Sequence, residues 1–237
     1  MLPAAACRAE KGDGRCPRLG QQSTSRRARP NVNSTTSTIR IIRLAISVKH
    51  WREHPPSVEA ARPAGCPGCG AASRPTGGNL AVHGHGTRPR QVRGPSEVDH
   101  TPTVDEVAMR RYRCQRCGAV IAVVPSEIMP RRLYTASAIA WALGLYGLLK
   151  ESTMKVRTRV CPWRIVGLAA TGWITLRRWI RAVRSQSLWR CIRPLPAQAT
   201  ARMVAERAAT TLAAHAPPQH TSGPICAAVF AGAMHAR

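Results

Sequence analysis

The sequence predicts an α+β chain in which a small four-cysteine zinc-ribbon β domain is followed by an all-helical helix-turn-helix region, behind a disordered N-terminus. Three observations predict it. Two cysteine pairs share one spacing, Cys66-Pro-Gly-Cys69-Gly and Cys114-Gln-Arg-Cys117-Gly. Around them, short β-branched runs are separated by glycine and proline, whereas after Pro130 apolar residues recur three and four apart. Residues 1–38 hold Arg, Ser, Thr, Gly and Pro with hardly any apolar periodicity.

The elements follow in order. Residues 1–38 form a basic segment expected to be disordered, and a start codon assigned too far upstream would leave the same signature. The β-rich domain spans 39–127. "IRIIRLAISVKHW" has strand-like order and ends at the breaker His54-Pro55-Pro56, and "NLAVHGHG", "PRQVRG", "VAMRRYRC" and "AVIAVV" are further short strands. Residues 128–195 form the helix-turn-helix region. It contains the uncharged stretch 133–149, an apolar patch near 163–170, and the helix of "TLRRWIRAV". Residues 196–237 supply C-terminal helices, an alanine-rich one to about His215 and a short one in "ICAAVFAGAMHAR".

Composition narrows the function. Lys and Arg number 36 against 11 Asp and Glu, a formal charge of +25, so a polyanion is the expected partner. All but four of the cations are Arg, whose planar fork suits phosphates and guanine edges. Nine cysteines without a secretory signal point to a reducing cytoplasm rather than a disulfide framework. The stretch 133–149 is short for a membrane span and carries Thr135, Ser137 and Tyr146. It therefore reads as a buried core helix, and a membrane-associated zinc-ribbon protein with one short span there is the competing reading.

Each cysteine pair has the grammar of a zinc knuckle. Two intervening residues let both sulfurs turn toward one cation, and the glycine after the second cysteine tolerates the left-handed backbone that closes the turn. Cys66, Cys69, Cys114 and Cys117 together supply four thiolates, a closed tetrahedral set that suits structural Zn2+. The same set could hold an iron–sulfur cluster, whereas a redox dithiol lacks the strand-to-helix context it needs. The 44 residues between Cys69 and Cys114 are long for a ribbon, so an insertion or extra hairpin is expected there. His83 and His85 lie in that gap and are expected to face outward. Cys161, Cys191 and Cys226 lack partners at metal spacing and are expected in the core.

In the helical half, Leu176, Trp179, Ile180 and Val183 form one apolar stripe, and Arg177, Arg178, Arg181 and Arg184 fall off it. Thr175 stands where an N-cap hydroxyl would sit. With "RIVGLAATG" upstream and a glycine turn between, Thr175 to Ser185 reads as the recognition helix of a helix-turn-helix. Arg177, Arg178 and Arg181 are the expected base or phosphate contacts, and Arg88, Arg90, Arg93, Arg111 and Arg113 the expected backbone-positioning set.

"CPGCG…RYRCQRCG", then "LYTASAIAWAL" and "GWITLRRW", resemble the zinc-ribbon and helix-turn-helix front end of bacterial insertion-sequence transposases, and an uncharacterised transposon-associated bacterial family of that architecture. The resemblance covers roughly residues 60–185. It implies double-stranded DNA as partner, with Cys66, Cys69, Cys114 and Cys117 as zinc ligands, and a transposase or a second copy as protein partner. Spaced carboxylates for two-metal phosphoryl transfer do not carry over, because only Glu127, Glu151 and Glu206 lie downstream of the ribbon. The expectation is therefore a non-enzymatic, nucleoid-associated DNA-binding protein, either a mobile element's accessory factor, a truncated transposase or a regulator.

Overall fold

The structure, a computed structural model, describes residues 39–163 and 172–236. Four strands make one sheet in the order β1-β4-β3-β2. Strands β2 (Val82–Gly94) and β3 (Thr103–Cys114) form a long antiparallel hairpin running from the pair Val82–Cys114 to Gly94–Thr103. β4 (Val120–Pro125) returns antiparallel to β3, and β1 (Arg40–Leu44) lies parallel to β4. β4 is apolar throughout because it is an inner strand buried on both faces. β2 is an edge, which is why it tolerates Pro89 and a run of exposed residues from His83 to Pro89.

The hairpin accounts for the long gap between the cysteine pairs. "NLAVHGHG" and "PRQVRG" prove to belong to a single strand, because the glycines between them sit at a bulge between Gly84 and Thr87 rather than at a turn. A short helix α1 (Val48–Glu53) covers the sheet. Its Trp51 is buried and donates its indole N–H to the Ala108 carbonyl at 3.0 Å. Buried Tyr112 donates its hydroxyl to the Val58 carbonyl at 2.7 Å, so both aromatics satisfy their polar ends where they pack.

The second core is built round α2 (Ala136–Gly147), whose residues are all buried except Tyr146. Thr135 caps it, its hydroxyl accepting the Ala138 N–H at 3.1 Å. Against α2 pack α3 (Thr153–Val160), α4 (Ile174–Arg184), α5 (Ala201–Ala213) and α6 (Ile225–Gly232). Alanines at 205, 208 and 209 on α5 are buried in this core, and their small size lets the helix axes approach. Tyr134, Trp173 and Trp179 stack edge to face with centroids 5.0–6.0 Å apart. Residues 133–149 do not form a membrane span. The helix is 12 residues long and packed on several sides by protein, and no described helix is long and apolar enough to cross a membrane.

The two cores are stitched together at the end of β2. The Arg93 N–H donates to the Leu133 carbonyl at 2.9 Å, and the Thr135 N–H donates to the Arg93 carbonyl at 3.2 Å. The Arg90 guanidinium donates to the carbonyls of Met129 and Arg132 at 2.7 and 2.8 Å. Gly94 closes the junction with φ at +116°, and a Cβ there would fall 2.4 Å from the Ala138 Cβ. Gly94→Ala is therefore expected to lose about 3 kcal/mol, from overpacking and backbone strain together, in a urea titration. A loss within error of zero would mean that the ribbon and α2 do not meet as described.

Candidate metal centre and basic helix

Both cysteine pairs fold into the same knuckle. In the first, the Cys66 N–H donates to the Ala71 carbonyl at 2.8 Å and the Gly70 N–H to the Cys66 carbonyl at 2.8 Å. In the second, the Cys114 N–H donates to the Ala119 carbonyl at 3.0 Å and the Gly118 N–H to the Cys114 carbonyl at 2.9 Å. Gly70 and Gly118 take φ values of +71° and +72°, with open space where a Cβ would stand. The turn's handedness, not crowding, thus requires glycine at these two positions.

The sheet brings the knuckles together, because β3 ends at Cys114 while the Gln115 N–H bonds the Ala81 carbonyl at the start of β2. All four sulfurs lie within 4.8 Å of one another. Cys66 and Cys117 Sγ are 3.6 Å apart, and Cys69 and Cys114 Sγ 3.8 Å. A tetrahedron with Zn–S bonds of about 2.3 Å has edges of about 3.8 Å, and these two separations match it. Cys66 and Cys114 are buried and Cys69 and Cys117 exposed, so the site opens to solvent on one side.

Electrostatics point the same way. Burial pushes the Cys66 thiol up, but the Gly68 and Cys69 amides and the Cys117 and Cys114 thiols outweigh it and hold Cys66 down at about 7. At Cys117 the Ala119 amide pulls down, yet the thiols of Cys69, Cys66 and Cys114, together with burial, push it up to about 12. The surroundings thus favour a thiolate at Cys66 and disfavour one at Cys117, and a divalent cation among the sulfurs would favour both. The arrangement fits a structural Zn2+ site, with four protein ligands and no open position for a reacting water.

His83 and His85 are exposed on β2, as expected. Cys161 and Cys226 are buried and Cys191 half-buried.

The expected DNA-contacting residues divide. Arg177, Arg178, Arg181 and Arg184 all lie on the exposed face of α4, opposite buried Leu176, Trp179, Ile180 and Val183. Arg184 bends back to the carbonyls of Ala197 and Ala199. Among the described residues, no ion pair includes Arg177, Arg178 or Arg181. Thr175 is not the N-cap. Burial of Trp173 between Tyr134 and Trp179 starts the helix at Ile174, and Trp173 holds the cap position without a side-chain bond. Most of the segment expected as the first helix of the helix-turn-helix, 164–171, lies outside the described residues.

On the ribbon, Arg88 and Arg113 are exposed and Arg111 half-exposed. Arg90 and Arg93 are committed to the fold. Arg90 holds the 129–132 loop, and Arg93 stacks 4.3 Å over the Trp163 ring while its guanidinium bonds Gln91. Sequence reasoning missed this, because an arginine on a strand reads as solvent-facing until the loop that it bonds is in place.

Residues 66–157 match a family described as "Domain of unknown function (DUF6431)". The match takes in both knuckles, the hairpin, α2 and most of α3, and stops short of α4. Neither a curated protein nor a solved structure matches the chain.

Cys114→Ser is expected to lose stoichiometric zinc, measured by elemental analysis after gel filtration, and to lose the near-ultraviolet signal of the buried Tyr112 and Trp51. Zinc affinity in the parent chain should fall as pH falls, since the thiols must lose protons to bind. Full zinc content in the variant, or an affinity flat from pH 8 to 6, would refute the four-thiolate site.

Proposed function

We propose that this is a non-enzymatic, zinc-dependent double-stranded DNA-binding protein, either a transposon-associated accessory factor, a truncated transposase or a transcriptional regulator. The observation that carries the reading is α4, with one buried apolar face, Arg177, Arg178 and Arg181 turned outward, and no carboxylate among the described residues neutralising them. A helix of 11 residues is about 16 Å long, enough to lie in a major groove and present three guanidinium forks to base edges or phosphates. From residue 128 onward the chain has 16 basic and two acidic residues, so the field around α4 attracts polyanions. The zinc ribbon supports the reading as a rigid scaffold that carries Arg88, Arg111 and Arg113 toward the phosphate backbone. The transposon setting rests on the likeness of the knuckles and "TLRRW" to insertion-sequence transposases.

The test is duplex binding by the full zinc-loaded chain, followed by fluorescence anisotropy at several salt concentrations. Arg178→Ala should weaken binding by ~1–3 kcal/mol if it reads a base, and should leave the melting temperature unchanged. Arg90→Ala should do the opposite, lowering the melting temperature with little effect on the salt slope, because its donors already serve the fold. Equal losses of affinity from the two substitutions would remove α4 as the reading element.

A further inference from the structure

In a chain of charge +25, acids are scarce, so their location is informative. Four of the 11, Glu53, Glu97, Asp105 and Glu127, line one cavity of about 390 Å³ at the junction of the two cores. Three of the four stand at the rim. There Glu97 pairs with Lys49 at 2.9 Å and Asp105 with Arg52 at 3.0 Å, while the third lining cation, Arg93, bonds Gln91 and stacks on Trp163.

Glu127 is different. It is only 6% exposed, and Oε1 accepts the Val48 N–H at 2.9 Å. Oε2 accepts no hydrogen bond from a described residue but is not sealed from solvent, and Glu127 lines the cavity. Burial pushes the Glu127 carboxyl up from the usual carboxylate range, and a cation at the open oxygen would offset that cost. The cavity also has apolar lining, from Val92 and Pro95 on the ribbon side and Phe230 and Met234 on the helical side. Among the described residues only the four cysteines gather closely enough to hold a metal ion, so the four carboxylates do not form a cation cage. The volume lies within the range of small-molecule sites.

We propose that this cavity binds a small organic cation with an apolar body, its ammonium or guanidinium group donating to Oε2 of Glu127 and its body lying against Phe230 and Met234. Such a ligand touches the end of β2, α1 and the C-terminal end of α6 at once. It would tie the ribbon to the helical core. The proposal is independent of the DNA-binding reading.

The experiment is calorimetric titration of the full zinc-loaded chain with benzylamine, and with benzyl alcohol as its uncharged counterpart. Saturable benzylamine binding is expected, with benzyl alcohol weaker by on the order of tenfold or more, as for a hydrogen bond to a charged group. Glu127→Gln keeps an acceptor for Val48 and should weaken benzylamine to the level of the alcohol. Phe230→Ala, a second and separate variant, should weaken both probes together. Failure of benzylamine to saturate at millimolar concentration in the parent chain overturns the proposal, as does parent-like benzylamine binding in folded Glu127→Gln.

Discussion

Mutual repulsion of four thiolates, and its relief by one cation, is the constraint on which the rest of this structure hangs. The knuckles lie 44 residues apart in sequence, and only the sheet and the shared ion bring them together. Closing so long a loop costs conformational entropy, which a hairpin of 13 and 12 residues with one face solvated offsets only in part. The ion fixes one end of that hairpin. The other end, at Arg90, Arg93 and Gly94, then meets α2 in a defined place.

From this follows a division of labour among the arginines. Those near the junction are consumed by the fold, Arg90 on loop carbonyls, Arg93 on Trp163, and Arg159 on Asp99, Glu151 and the Trp141 ring. Arg177, Arg178 and Arg181 on α4 have an apolar stripe behind them and solvent in front, whereas Arg184 is held by the Ala197 and Ala199 carbonyls. Raw charge therefore overstates the surface available to a polyanion, and the location of unengaged guanidinium groups is the better guide to where one would bind.

What could be read from the sequence was local. The knuckles were legible because two-residue spacing and the following glycine are fixed by the turn itself, and the α4 stripe because helical periodicity is a local property. The extent of β2 was not, since a bulge and a turn use the same glycines and only pairing with β3 separates them. Thr175 carried the chemistry of a cap, yet burial of Trp173 against Tyr134, 39 residues away, decided where the helix begins. The role of Glu127 had no local signal at all, because its environment comes from α1, the ribbon and the C-terminal helix together.

Whether the ion holds the hairpin in place can be read from hydrogen exchange of the zinc-loaded and chelated chains. The account predicts that removing the ion strips protection along the whole of β2 and β3, as far as the Arg93–Thr135 junction, while the amides of α2 remain protected by their own core. Loss confined to the turns at 66–70 and 114–118, with the hairpin still protected, would contradict it.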